Sequence, residues 1–170
     1  MISDVGISVG GRCRAVWAAV KELGRSGLGG RGGWVALQFR VALATTAELS
    51  GRDAVMRHLL AAGPPGQAVV RIAPRGAVHR EGSSPRAVAW VEVREGALRW
   101  GRGESPTAAD VEITFRDEAT AAAALRGQLD QLAALGRGDI IVRGLVPLAE
   151  TLGLVMDRLG LYFRQHEHLP

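Results

Sequence analysis

The chain predicts a mixed α/β (α+β) fold, a largely antiparallel sheet flanked by helices, on three observations. Apolar spacing is helical up to Ala62, where Gly63-Pro64-Pro65-Gly66 stops it abruptly; it alternates with period two from Ala68 to Phe115; and it returns to helical spacing after Asp117. The length of 170 residues suffices for one domain with a real core plus a short extension. Hydrophobic residues at 47% and charged residues at 22% have the balance of a soluble globular chain rather than a disordered or fibrous one.

Residues 1–33 read as an appended arm and 34–170 as the domain. In the arm, Arg14 to Leu23 is a helix candidate with Val16, Val20 and Leu23 on one face, and GRSGLGGRGG after it reads as a linker. The run WVALQFRVALATTAEL fits both periods: Val35, Leu37, Phe39, Val41 and Leu43 alternate as in a strand, whereas Trp34, Leu37, Val41 and Ala44 share a helical face. The Ala-rich continuation without a turn signal favours helix. Ser50 is the expected N-cap of a helix over Gly51 to Ala62, apolar through Val55, Met56, Leu59 and Leu60.

Ala68 to Ala73 is then a short strand and PRGAVHREGSSP a polar loop. Ala87, Ala89, Val91 and Val93 alternate with Val88, Trp90, Glu92 and Arg94 in a second strand, Glu95-Gly96 is a hairpin turn, and Ala97 to Trp100 returns. Ala109, Val111, Ile113 and Phe115 alternate with Asp110, Glu112 and Thr114, so one face of that strand is buried and the other wet. Asp117 or its neighbour opens an Ala-rich helix ending at Gly127; a second short helix runs through Leu129, Leu132 and Leu135; Gly136-Arg137-Gly138 precedes the strand Asp139 to Arg143. The last helix carries a stripe of Leu148, Leu152, Val155, Met156, Leu159 and Phe163, with Leu145, Leu154 and Leu161 on a second side. A helix this apolar requires a cover: the sheet, a partner or a ligand.

The formal charge of +4 is unevenly placed: residues 1–105 hold 15 basic and 8 acidic side chains, residues 106–170 hold 6 and 9. No window reaches the roughly 18 apolar residues of a membrane-spanning helix, and no secretory signal is visible. The single cysteine, Cys13, forms no intrachain disulfide and fits a reducing compartment, so the cytoplasm is the expected location.

Most short motifs dissolve on inspection. Gly6-Ile7-Ser8-Val9-Gly10 has the letters of a nucleophile elbow, but five residues cannot supply the strand that delivers the serine. Gly27-Leu28-Gly29-Gly30-Arg31-Gly32 follows a helix instead of a strand, so it lacks the βαβ context of a dinucleotide site, and one Arg-Gly-Gly is too little for nucleic acid. His166 and His168 at i and i+2 do not converge on one tetrahedral metal. Asp110 with Glu112, and Asp117 with Glu118, read as surface and helix-start charges, and no nucleophile has a local base. Neither catalytic residues, nor a metal, nor a cofactor is expected.

From Val88 onward the residues resemble the sterol carrier protein 2 family of lipid-binding domains. The resemblance rests on Trp90-Val91-Glu92-Val93, the hairpin, Ala109 to Phe115 followed by Asp117, then Leu125, Gly127, Leu129, Ala133-Ala134, Gly138 to Gly144 and the apolar closing helix. It is best over 88–163, extends back to about residue 50, and has no counterpart for residues 1–49. It implies a sterol carrier protein 2-like fold: a five-stranded, mostly antiparallel sheet covered on one face by helices, with a hydrophobic tunnel that accepts acyl chains, sterols or quinone-like lipids and no reaction of its own. Its expected lining is Leu152, Val155, Met156, Leu159, Tyr162 and Phe163 from the last helix, facing Val91, Val93, Val111 and Ile113 from the sheet. The expected partner is a lipid or other hydrophobic small molecule, with transient membrane contact compatible with it. The alternative is an accessory domain that docks on an enzyme or on a second copy of itself. The C-terminal HEHLP does not match the peroxisomal tripeptide that some members carry.

Overall fold

The computed structural model describes residues 33–74 and 84–164, with side chains through Leu161. The expected helix at 14–23, its linker, the motif at 6–10, Cys13, most of the polar loop after Pro74 and the histidines at 166 and 168 lie outside these residues.

The ambiguous segment after the linker is one continuous helix, α1 (Gly33–Ser50), and its apolar residues are buried on more than one side: Val35, Ala36, Leu37, Phe39, Leu43 and Leu49 are all covered. The helix packs against the sheet on one side and against three other helices on others, so neither period alone described it. Helix α2 (Ala54–Ala62) starts later than the sequence suggests. Asp53, not Ser50, is its cap: the Asp53 carboxylate accepts from the Val55 and Met56 amides at 2.8 and 3.0 Å. Ser50 ends α1 and donates its hydroxyl to the Ala47 carbonyl. The backbone turns tightly between the two helices, with the amides of Arg52 and Asp53 both reaching the Leu49 carbonyl, which leaves the capping geometry to the next polar side chain.

Five strands follow the expected order: β1 (Gly66–Ile72), β2 (Arg86–Arg94), β3 (Ala97–Arg102), β4 (Val111–Phe115) and β5 (Ile140–Gly144). They form one sheet in the order β3-β2-β1-β4-β5, antiparallel at every junction except the parallel pair β1–β4. Glu95 and Gly96 both have positive φ, 53° and 73°, as a two-residue hairpin of the favoured twist requires. A bulge sits where Val70 pairs with Ala89 but Arg71 pairs with Ala87; the extra residue, Val88, is fully buried, and its carbonyl accepts from the Gly103 amide and from Arg40 Nε.

Helices α3 (Glu118–Leu125), α4 (Gln131–Gly136) and α5 (Val146–Arg164) complete the described chain. Asp117 caps α3 as expected, accepting from the Thr120 amide at 2.8 Å, and Asp130 caps α4. The helix expected through Leu129, Leu132 and Leu135 starts after Leu129, which precedes the Asp130 cap; within it Leu132 is 82% exposed and Ala134 is the buried residue. Gly144 links β5 to α5 at φ 100°, with the Asp110 carbonyl so close that a Cβ there would collide with it.

All five helices contribute to the packing of one face of the sheet. Its opposite face is covered partly by side chains and by the β3–β4 connection. There Trp90 lies across Gly101, and Arg71 binds both oxygens of Glu104 at 2.7 and 2.8 Å and Glu112 at 3.3 Å. The hydrogen bonds to Glu104, with the charge of both carboxylates, raise the Arg71 pKa further above its ordinary value. Glu112 is therefore a structural partner, and Asp110 another: its carboxylate accepts from the Gln67 amide at 2.8 Å.

Candidate apolar cavity

The helical face of the sheet is not filled evenly. Between α1, α5, the α3–α4 connection and strands β1 to β5 lies a cavity of about 1140 Å³, which is slightly above the range of roughly 300–1,000 Å³ usual for small-molecule sites. Its walls follow from the local sequence. Helix α1 contributes Leu37, Val41 and Ala42, spaced to share one side; α5 contributes Leu152, Val155, Met156 and Leu159 from its stripe; the sheet contributes inward residues Val70, Val91, Ile113 and Val142. Phe39 and Phe115, ring centroids 5.4 Å apart and tilted by 45°, also line it.

Polar groups are few and gather on the helices and the α3–α4 connection. Gln38, Arg126, Gln128, Gln131, Glu150 and Asp157 belong to the lining. Arg126 Nε donates to Gln128 Oε1 at 2.8 Å. Thr46, the single hydroxyl in the described lining, donates to the Ala42 carbonyl at 2.8 Å and lies 3.7 Å from Met156 Sδ. No histidine, cysteine, serine or lysine is among the described lining residues, and no group of three His, Cys, Asp or Glu that could hold a metal occurs among the described residues.

Of the ten residues expected from the sequence, Val91, Ile113, Leu152, Val155, Met156 and Leu159 line this cavity together. Val93 and Val111 do not. They are 1% and 0% exposed and pack with Met56, Leu60 and Leu148 into solid core, because α2 and the start of α5 lie directly on their part of the sheet. The side chains of Tyr162 and Phe163 lie outside the described residues. What sequence reasoning missed is the whole α1 wall and β5 with its Ile140 and Val142. The helical pattern Trp34, Leu37, Val41 was the available signal: Trp34, Leu37 and Val41 all line the cavity.

Part of the rim is apolar and open to solvent. Trp34, Leu135 and Val146 line the cavity at 61%, 44% and 49% exposure. A buried ion pair holds the neighbouring helices: Arg158 of α5 donates through Nε to Asp53 Oδ2 at 3.0 Å, which ties the last helix to the α2 cap. No helix among the described residues is long and apolar enough to cross a membrane.

No family model matches the chain, and no curated protein matches it. Solved structures do. The solution structure of sterol carrier protein domain 2 of Helicoverpa armigera aligns with a TM-score of 0.51 at 14% identity, over 72% of this chain and 88% of that one. A crystal structure of sterol carrier protein 2 aligns with a TM-score of 0.52 at 20% identity, over 70% and 93%. The apo form of sterol carrier protein 2 from Yarrowia lipolytica aligns at 0.51 and 12% identity, over 70% and 87%. These identities speak to architecture. With a five-stranded mixed sheet, helices on one face and a cavity between the layers, the chain has the sterol carrier protein 2-like fold.

Proposed function

We propose that this protein binds and carries a hydrophobic ligand of the fatty acyl, sterol-like or quinone-like class in the cavity between α1, α5 and the sheet, without transforming it. The observation that carries this reading is the cavity itself: its walls are aliphatic and its few polar groups are mostly amides and charges on the helices and the α3–α4 connection. Burying each CH₂ of an acyl chain contributes about 0.8 kcal/mol, so shape and apolar area suffice for retention without a strong anchor. The lining residues are taken to be Val91, Ile113, Leu152, Val155, Met156 and Leu159, with Tyr162 and Phe163 extending the same helix; Met156 is the adaptable one, because a thioether adjusts to differently shaped ligands. The domain is taken as 34–170, with 1–33 as an appended arm, in a cytoplasmic setting.

A second reading has one observation behind it. Leu132, Leu154 and Leu161 are 82%, 54% and 44% exposed and are not part of the cavity lining, so an accessory domain docking on an enzyme or on its own copy would have apolar surface to use. Native mass spectrometry of the purified chain, followed by organic extraction and lipid mass analysis, separates the two. A stoichiometric lipid or quinone is the expected result; an empty protein that also takes up no fluorescent fatty acid would overturn the carrier reading in favour of the accessory one.

A further inference from the structure

A glycine inside a helix calls for a reason, because glycine forms helix less readily than every residue except proline. Elsewhere in this chain the reasons are visible. Gly63, at the end of α2, lies against Thr151 with no room for a side chain, and Gly144 combines a positive φ with the pressure of the Asp110 carbonyl. Gly153 and Gly160, both in the interior of α5, have neither reason. Their φ values are not positive. A Cβ on Gly153 would meet only Gln131 Oε1, at an ordinary contact distance of 3.7 Å, and a Cβ on Gly160 would meet nothing within 4 Å among the described residues.

What the two glycines share is the void. Both line the cavity, and so does Met156, three residues after the first and four before the second. That spacing puts all three on one side of α5, with the glycines about 10 Å apart along its axis. The α5 wall is therefore cut back to the backbone at two places, one on each side of a flexible thioether that has room to turn over either. A straight acyl chain leaves such recesses empty, and an empty recess forfeits the dispersion contacts of the atoms around it. A methyl branch fills one, and each methyl group so buried strengthens binding roughly fourfold.

We propose that Gly153 and Gly160 determine the shape of ligand this cavity selects: by recessing the α5 wall on both sides of Met156, they favour a methyl-branched chain over a straight chain of equal carbon content. The proposal rests on the ligand-binding reading above and names the ligand shape for that same site.

Two isomers with one carboxylate and twenty carbons each make the test direct: straight eicosanoic acid and 3,7,11,15-tetramethylhexadecanoic acid. Each is used to displace a fluorescent C16 fatty acid from the full-length chain. The parent is expected to bind the branched isomer at least about fourfold more tightly, the effect of one methyl group seated in a recess. Gly153→Leu and Gly160→Leu fill the recesses from the protein side. Together they are expected to abolish the preference while the straight isomer binds within about twofold of its parental affinity. Gly153→Ala and Gly160→Ala fill them partly; each is expected to raise Tm by about 2–4 °C, and together they reduce the preference.

A preference unchanged in the double leucine variant overturns the proposal and leaves the glycines as plain weak points of the helix. Equal loss of both isomers in that variant overturns it too, because a blocked cavity is not a reshaped one. Should the double leucine variant fail to fold, the double alanine variant decides, and an unchanged preference there overturns the proposal. A parent that binds both isomers equally well overturns it while the carrier reading stands. A parent that takes up neither isomer nor the fluorescent acid overturns the carrier reading, and this proposal with it.

Discussion

Two regions on the same face of one sheet have nearly the same composition and opposite packing. Near α2 and the first turns of α5, Met56, Leu60, Val93, Val111 and Leu148 are all at most 1% exposed and pack together, and none of them lines the cavity. A few residues further along, beneath α1 and the later turns of α5, Val91, Ile113, Val142, Val155 and Met156 surround about 1140 Å³. Aliphatic side chains supply both. What differs is which elements lie over each part of the sheet. The Asp53–Arg158 pair ties α2 to α5, and Gly63 sits so close to Thr151 that only a residue without a side chain fits between them. At the other end α1 packs directly on β2 and β3, where Arg40 Nε donates to the Val88 carbonyl, and the cavity lies beside it, lined by α1 and the later turns of α5. A void in an apolar layer is thus a matter of how the helices are set over the sheet, not of which residues are apolar.

Substitutions break or sharpen this contrast in graded fashion. The largest effect is expected on the packed side: Leu148→Ala or Leu60→Ala lowers stability by about 3–5 kcal/mol, the sum of lost transfer and a new cavity. Denaturant midpoints at unchanged slope measure it, and a cost near 1 kcal/mol would mean this region is as loose as the other. Next comes the clamp. Asp53→Ala removes the α2 cap and leaves Arg158 without this carboxylate, at about 2–3 kcal/mol; the pair is slightly open to water, with Arg158 22% exposed, which keeps the cost below that of a fully buried pair. Asp53→Asn retains the cap acceptor and is expected to cost roughly half as much.

On the cavity side the same chemistry has a smaller effect. Met156→Ala removes atoms that already border a void, so a loss of only about 1 kcal/mol is expected, together with weaker binding of a fluorescent fatty acid. Met156→Trp fills the space instead. It leaves stability within about 1 kcal/mol of the parent while abolishing uptake, and uptake at parental affinity would place the ligand elsewhere. The smallest effect is a gain. Thr45 is 1% exposed with no hydrogen-bond partner for its hydroxyl among the described residues, so Thr45→Val, nearly identical in shape, is expected to raise stability by about 1 kcal/mol. A loss in the same titration would reveal a partner for that hydroxyl.

The parts of this architecture that were legible in the sequence are those set by neighbours in the chain. Gly63 to Gly66 ended a helix because proline and glycine cannot continue one. Asp117 marked the start of α3 because a carboxylate there reaches the Thr120 amide three residues on. The alternation from Ala109 to Phe115 told which residues of β4 face inward. Where two polar residues competed for a role, the nearer guess failed: Ser50 looked like a cap, yet the chain reverses between α1 and α2 and hands that position to Asp53. The spacing of Leu129, Leu132 and Leu135 suggested one helix, yet Asp130 caps it after Leu129, and the six-residue helix exposes Leu132 and buries small Ala134.

By itself, the sequence determined the order and kind of the elements after Gly63, the apolar stripe of the last helix and six of the cavity residues, since all of these follow from local periodicity and capping. Only the tertiary structure decided that β1 and β4 run parallel, that Val93 and Val111 belong to solid core while Val91 and Ile113 face a void, and that α1 forms the opposite wall. Each of these depends on contacts between residues far apart in the chain, and a side chain's periodicity states which way it points without stating what, if anything, it meets there.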